Sequence, residues 1–213
     1  MTKNPEEWQR LFDEKARDLY PATDPSHDFL HIRRVVAMAL KLAAEEGADI
    51  NVVLPAAYFH DFVNVPKNDP RRAQASRLSA EGAVTYLQSI HYPAQYLPAI
   101  SHAIAAHSFS AAIPAETIEA KVVQDADRLD SLGAIGAARC FTTSALMGRP
   151  YYHDGDLFAD NRPLDDKTYA VDHFFVKLFK VAEMLQTESA RAEGLRRVVF
   201  MKDYLKQLQS EVA

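Results

Sequence analysis

Apolar residues recur at helical spacing along almost the whole chain, and this periodicity is the strongest constraint on the fold. β-Branched residues are scattered rather than alternating, and only seven of the 213 residues are glycine. The ends of the apolar stretches carry helix signals, with Asn4 and Pro5 typical of a helix start and Gly47 of a helix end. We therefore predict an all-α protein.

The pattern predicts eight helices, with one break allowed in the sixth. Their approximate ranges are 4–20, 24–47, 51–63, 76–90, 93–110, 114–147, 168–185 and 188–208. Residues 148–166 form the one long irregular stretch, which we interpret as a candidate mobile lid. We predict a single domain over 1–213, with a core at 24–140 and C-terminal helices at 168–213.

Composition limits the class of protein. The chain is 48% apolar, which is enough to bury a full core, and its single cysteine, Cys140, excludes an internal disulfide. The first residues lack the apolar core of a signal peptide, and no apolar run approaches the ~20 residues of a membrane span. We expect a cytoplasmic protein without a membrane partner, as a monomer or a homodimer.

The net charge of −5 argues against binding of a nucleic-acid polymer, because phosphate backbones are bound by a basic excess. This charge does not exclude a small anionic ligand, which needs only a few local cations.

The dipeptide His60–Asp61 stands at the end of the apolar run 52–59. Burying an imidazole and a carboxylate is costly unless they are hydrogen-bonded, paired or bound to a metal ion. Adjacent residues on a helix point ~100° apart, so the pair can converge only on an ion lodged between helices. We interpret His60 and Asp61 as half of a metal site.

Two further candidate ligands, His31 and Asp127, come from other predicted helices. Two imidazoles with two carboxylates make a mixed nitrogen and oxygen site, which suits Mn, Fe, Co, Ni or Zn better than Ca²⁺. Four protein ligands leave room in the shell for water or substrate, as a hydrolase requires.

The order His31, His60–Asp61, Asp127 and its flanking residues resemble the HD superfamily of metal-dependent phosphohydrolases, in particular a small stand-alone bacterial branch. The resembling stretches are 26–31, 60–67, 102–110 and 124–136. The resemblance implies a helical bundle that holds a divalent ion through these four residues. We also assign Asp61 to catalysis. Mn is the first choice of metal, with Co, Ni, Fe, Zn and Mg open. The implied substrate is a phosphorylated small molecule, first of all a nucleotide.

Cations follow the metal pair closely. Lys67 lies just beyond it, and Arg71 and Arg72 come next. Phosphoryl transfer needs cations around the non-bridging oxygens. We assign Lys67 to phosphate binding and catalysis, and Arg71 and Arg72 to substrate binding.

Four other residues complete the predicted site. His102 and His107, ~140° apart on a helix, are candidates for a general acid, a phosphate contact or a second-ion ligand. His27, four residues before His31, either reaches the cleft to bind substrate or stabilises the helix start. Asp130, one turn after Asp127, is a candidate acceptor that orients a ligand imidazole.

The leading functional hypothesis is a (deoxy)nucleoside triphosphate pyrophosphohydrolase that releases monophosphate and pyrophosphate. The near alternative is a nucleoside 5′-monophosphate phosphatase or another phosphomonoesterase or phosphodiesterase. From other classes, a di-iron oxygenase would use His102 and His107 as additional ligands, and a non-catalytic sensor would bind a nucleotide without turning it over.

Overall fold

The structure is a computed structural model that describes residues 3–20, 28–63, 65 and 69–212. Within these ranges it contains helices and no strand, so the predicted all-α class is confirmed. The α-helices are α1 Pro5–Leu19, α2 Phe29–Glu46, α3 Ile50–Phe59, α4 Ala75–Ser89, α5 Leu97–His107, α6 Ile118–Leu129, α7 Gly133–Leu146, α8 Phe179–Glu183 and α9 Glu188–Val212.

Helix α1 begins as predicted. The Asn4 side chain accepts the Glu7 N–H, and the Glu7 side chain accepts the Asn4 N–H, so the two residues form a capping box. The buried face consists of Trp8, Phe12 and Ala16.

Helix α2 starts at Phe29 rather than at Asp24. The Asp28 carboxylate caps it by accepting the backbone N–H of His31 at 2.8 Å. The predicted Asp24–Pro25 opening lies outside the described residues. The helix ends as predicted at Gly47, whose φ of 69° places it in the left-handed region that glycine tolerates.

Helix α3 lies among α1, α2, α4 and α5, and every residue from Val52 to Phe59 is buried. Pro55, inside this helix, has no N–H to donate to the Asn51 carbonyl. The Tyr92 hydroxyl donates to that carbonyl instead, at 2.7 Å. The helix ends at Phe59 with His60 as its cap, so the predicted extension to 63 is wrong.

Short 3-10 turns connect several helices. They are Pro70–Gln74 before α4, Ala94–Tyr96 before α5 and Phe109–Ala111 after α5. Helix α5 therefore stops at His107 rather than near Ser110.

The predicted sixth helix is divided into α6 and α7, as the allowed break anticipated. Gly133 opens α7 with a φ of 73°. Gly136 lies so close to the Ser131 carbonyl that a Cβ atom would overlap it. The small residues at the start of α7 therefore allow this tight turn.

The chain forms two compact units, Met1–Asp127 and Arg128–Ala213, and the division falls near the end of α6. In the second unit α9 packs against α7 and α8. A π-helical segment, Phe174–Leu178, leads into α8. The observed helical structure therefore begins several residues after the predicted start at 168. The prediction of a single domain over 1–213 stays a prediction.

Residues 148–166 contain no helix, but buried polar contacts hold this segment. Arg162 donates to both carboxylate oxygens of Asp172 at 2.6 and 2.8 Å, and the Asp165 N–H donates to the same carboxylate. Asp172 is completely buried. Arg149 donates to the Asp166 carbonyl at 2.9 Å. These contacts join the two ends of the segment to each other and tie its C-terminal part to Asp172, and its role as a lid stays a prediction.

Candidate metal centre

Three side chains from three helices bring possible metal donors together in the first unit. The Nε2 atoms of His31 and His60 and a carboxylate oxygen of Asp127 all lie within 4.8 Å of one another. The two Nε2 atoms are 3.4 Å apart, and Asp127 Oδ1 lies 3.5 Å from His31 Nε2 and 3.8 Å from His60 Nε2. This cluster contains three of the four predicted ligands.

The last turn of α3 holds His60 in place through its terminal carbonyl groups. His60 Nδ1 lies 2.9 Å from the Ala57 carbonyl, the Tyr20 hydroxyl donates to the Tyr58 carbonyl at 3.0 Å, and the Phe62 N–H donates to the Phe59 carbonyl at 3.1 Å. A helix end leaves such carbonyls without intrahelical partners. Each of the three is satisfied here, so the end of α3 is well defined where the histidine projects.

Asp61 connects the cluster to a fourth helix. Its Oδ2 lies 3.7 Å from His60 Nε2, and its Oδ1 lies 3.4 Å from Nε2 of His107, the last residue of α5. His107 Nδ1 lies 2.7 Å from the Ile104 carbonyl. Because that carbonyl can only accept, Nδ1 carries a proton, and Nε2 faces the Asp61 carboxylate. The structure therefore brings His107 next to Asp61, and its roles in catalysis and substrate binding stay predictions.

Asp127 lies near the end of α6, one turn after a buried residue that ties α6 to α5. The Gln124 side-chain amide donates to the carbonyl of Ala106 at 2.6 Å, and Ala106 directly precedes His107 in the sequence. Gln124 lies in the stretch 124–136, and its position in the sequence does not predict this role. Its contact sets the spacing between the helices that carry Asp127 and His107.

Exposure separates the two kinds of donor. His31 and His60 are 1% and 0% exposed, whereas the side chains of Asp61 and Asp127 are 28% and 31% exposed. The imidazoles therefore form the floor of the cluster, and the carboxylates form its open side, where a small molecule can reach it.

The donor set fits a divalent metal ion. The distances of 3.4–3.8 Å are longer than ordinary hydrogen bonds. Two donors that each lie about 2.1 Å from one ion at angles near 90–110° are separated by roughly 3.0–3.5 Å. His60 Nδ1 donates its proton to Ala57, so Nε2 presents a lone pair towards the oxygens of Asp61 and Asp127. Facing acceptors repel one another unless a cation lies between them, so this arrangement favours a bound cation.

The pKa values of the two buried histidines beside Asp61 are shifted in opposite directions. Burial lowers the pKa of His60, against the opposing charges of Asp61 and Asp127. Burial also acts to lower the pKa of His107, but the contact with Asp61, together with the charge of Asp127, outweighs it and raises that pKa. The lowered pKa favours the neutral form of His60, and the raised pKa favours the protonated form of His107.

Two predicted residues have partners outside the cluster. His102 Nε2 accepts the backbone N–H of Glu116 at 3.2 Å, and the structure gives this histidine no hydrogen bond or ion pair with the four candidate ligands. Arg71, 66% exposed, donates to both oxygens of Asp69, at 3.1 and 2.8 Å. Their roles in substrate binding, and that of His102 in catalysis, stay predictions.

Asp130 lies in the second unit, where Arg139 donates to its carboxylate at 2.8 Å. Its predicted role of orienting a ligand stays a prediction. Lys67 and His27, and the side chain of Arg72, lie outside the described part of the chain.

Sequence reasoning missed Tyr20, the cap of α1. Its hydroxyl supports α3, and burial, with a smaller effect from the charge of Asp61, raises its pKa well above the usual value. No sequence signal distinguishes this tyrosine from others at helix ends, because its partner is a carbonyl group distant in sequence.

None of the helices in the described ranges has both the length and the apolar character needed to cross a membrane.

Comparison with known proteins agrees with this geometry. The HD domain family matches residues 28–132, a range that contains His31, His60, Asp61, His107 and Asp127. The YpgQ protein of Bacillus subtilis is 33% identical over 196 residues, which cover 89% of this chain and 87% of that protein.

Solved structures share the fold over nearly the full length. The crystal structure of Bacillus subtilis YpgQ in complex with ADP has a TM-score of 0.76 at 30% identity, covering 97% of this chain and 95% of that one. An HD-superfamily hydrolase from Bacillus thuringiensis has a TM-score of 0.76 at 28% identity, covering 98% of each chain. The chain therefore belongs to the HD-domain family and is an HD-superfamily hydrolase.

Proposed function

We propose that this protein is a metal-dependent nucleotide phosphohydrolase that cleaves (deoxy)nucleoside triphosphates between the α- and β-phosphates, releasing pyrophosphate. The observation that carries the proposal is the convergence of His31, His60 and Asp127 on one point, with the Asp61–His107 pair beside it. The complex of the YpgQ relative with ADP supports a nucleotide as the ligand.

His31, His60, Asp61 and Asp127 would hold the ion, with Mn²⁺ as our first choice and Co, Ni, Fe, Zn and Mg as the other candidates. When bound, such an ion lowers the pKa of a coordinated water and neutralises charge on a phosphoryl oxygen. The Ala57 carbonyl accepts from His60 Nδ1, which leaves the His60 Nε2 lone pair for the ion, and the partly exposed carboxylates leave the open side to the substrate. Lys67 is our candidate for the phosphate clamp.

We assign proton transfer to His107. Its Nε2 faces Asp61 Oδ1 at 3.4 Å, and its pKa is raised, so it can carry a proton to the leaving pyrophosphate. The Ile104 carbonyl holds the ring orientation by accepting from Nδ1.

The decisive test incubates the metal-loaded protein with a panel of nucleoside mono-, di- and triphosphates and identifies the products. Pyrophosphate with monophosphate supports the proposal, whereas phosphate with nucleoside supports the phosphatase alternative. The absence of turnover with every nucleotide contradicts both.

Asp127→Ala should lose bound metal and about 10³-fold or more of the activity, because it removes a carboxylate donor. Asp203→Ala, at an exposed position on α9, is the matched control and should keep both. If Asp127→Ala retains metal and turnover, the proposed assignment of Asp127 as a metal ligand is wrong.

His107→Gln should keep the metal and lower kcat by roughly 10²–10⁴-fold, the usual range for a general acid. Metal content measured beside kcat separates this outcome from loss of a ligand. An unchanged kcat contradicts the assignment.

The di-iron alternative is not favoured, because it needs both His102 and His107 as additional ligands. The structure engages His102 with the Glu116 backbone instead.

A further inference from the structure

Two exposed apolar side chains of the first unit neighbour site residues in sequence. Among the described residues up to Asp127, three large apolar side chains are exposed, namely Leu30, Ile50 and Phe109, at 57%, 43% and 77%. Leu30 directly precedes His31, and Phe109 follows His107 by two residues. Two of the three therefore flank residues of the site.

The backbone that carries Phe109 is held in a defined turn. The Ala111 N–H donates to the Ser108 carbonyl, and the Ala112 N–H donates to the Phe109 carbonyl, both at 3.3 Å. Ala112 closes the turn with a φ of 50°, in the left-handed region that alanine rarely adopts. The turn packs against α4 and the 3-10 turn Pro70–Gln74. The exposed ring thus projects from an ordered support.

The backbone position of Phe109 is compatible with a contact between its ring and the base of a bound nucleotide. Two residues of chain span at most about 7 Å, so the backbone of Phe109 lies close to that of His107. Nε2 of His107 is 3.4 Å from Asp61 in the metal site. A nucleotide held at the ion by its phosphates extends its base away from the ion through the sugar. A nucleobase is stabilised by stacking its face on a flat aromatic side chain.

We infer that Phe109 is the stacking surface for the nucleobase, and that the substrate is recognised by its base as well as by its phosphates. This inference rests on the proposed nucleotide phosphohydrolase function.

The test compares Phe109→Ala, Phe109→Trp and the wild type on ATP and on inorganic tripolyphosphate, which has no base, at one free Mn²⁺ concentration. Loss of a stacking ring should raise KM for ATP by about 5- to 100-fold and leave kcat within about twofold. Hydrolysis of tripolyphosphate should be unchanged, and Phe109→Trp should restore the KM for ATP. Ile50→Ala, which removes an exposed apolar side chain from the same unit, should leave the KM for ATP unchanged.

An unchanged KM for ATP in Phe109→Ala overturns the inference. An equal rise in KM for ATP and tripolyphosphate also overturns it, because the ring would then act on the phosphates or on the fold rather than on the base.

Equilibrium binding of ADP separates this inference from the proposed function. The chain has one tryptophan, Trp8, so the indole of Phe109→Trp gives an added signal against a wild-type background. Quenching of that indole by ADP but not by pyrophosphate, with weaker ADP binding by Phe109→Ala, supports stacking even if no nucleotide is hydrolysed. Equal ADP affinity of Phe109→Ala and the wild type overturns stacking even if hydrolysis is observed.

Discussion

Two aspartates differ in the partners that surround their carboxylates, and the difference separates a structural residue from a candidate ligand. Asp172 is completely buried, and both of its oxygens accept from one guanidinium group, that of Arg162. The side chain of Asp127 is 31% exposed, and the charged partners that the structure gives it are the imidazoles of His31 and His60. A carboxylate with its own guanidinium partner is neutralised in place, whereas Asp127 has no guanidinium among these contacts and fits the role of a ligand to a cation.

Asp172→Asn should destabilise the protein by about 3 kcal/mol, because it leaves the Arg162 charge largely buried without its partner. Urea unfolding measures the change. The matched control is Asp203→Asn, which removes an exposed partner of Lys206 and should cost less than about 1 kcal/mol. Equal losses in the two variants would contradict a structural role for the Arg162–Asp172 pair.

At the scale of the helix, the hydrogen bonds that end α3 also position His60. A helix that stops next to a functional dipeptide exposes carbonyl groups where polar atoms must be satisfied. Tyr20, the His60 ring and the Phe62 N–H supply those partners. The same contacts that end the helix therefore also orient His60.

Tyr20→Phe should lower the free energy of unfolding by about 1–2 kcal/mol, because the Tyr58 carbonyl loses a buried donor. It should also reduce metal affinity, since the turn before His60 is loosened. Urea unfolding and metal titration measure the two effects. Tyr96→Phe is the control and should change neither, because Tyr96 is partly exposed and its hydroxyl has no hydrogen-bond partner among the residues of the structure's described ranges.

Helix α9 carries a charged cluster that makes its stability depend on acid. Hydrogen bonds from Arg196, and then from Arg197, lower the pKa of Glu193 from 4.5 to about 2. Because the folded pKa lies below the unfolded value, the stabilisation is complete above about pH 4.5 and is lost as the pH falls towards 2.

Glu193→Gln should therefore lower stability by about 1–2 kcal/mol at neutral pH and by much less near pH 3. Urea unfolding across this pH range tests the prediction, with Glu211→Gln at the exposed end of α9 as control. A loss of stability that does not change with pH would show that the charge of Glu193 is not the cause.

At the scale of the whole molecule, the metal cluster joins α2, α3 and α6, which are far apart in the chain. An ion that binds all three stabilises only the state in which they are together. It acts on the folded protein by mass action.

Removal of metal by a chelator should thus lower the Tm, and adding back Mn²⁺ at about 100 times its Kd should restore about 2.7 kcal/mol, or roughly 5–10 °C. Calorimetry at fixed protein concentration measures the shift. Asp127→Ala should show no response to Mn²⁺, and an equal response in that variant would place the ion elsewhere.

Much of the fold was readable from local patterns. The start of α1, the end of α2 at Gly47 and the break between α6 and α7 follow from residues close in sequence, because capping and helix termination are local interactions. The start of α2 and the end of α3 were wrong by several residues. In each case the helix is shorter than predicted, because Asp28 caps the start of α2 directly before the site and His60 caps the end of α3 within it.

The residues of the candidate metal site were also predicted from sequence, because an imidazole and a carboxylate at the end of an apolar helix conflict with burial unless a cation joins them. Which other groups meet them was decided only by the tertiary structure. The contact of His107 with Asp61, the hydroxyl of Tyr20 below α3 and the engagement of His102 by Glu116 all depend on how separate helices pack. Chemical type is a property of each residue, whereas proximity between distant residues is a property of the folded chain.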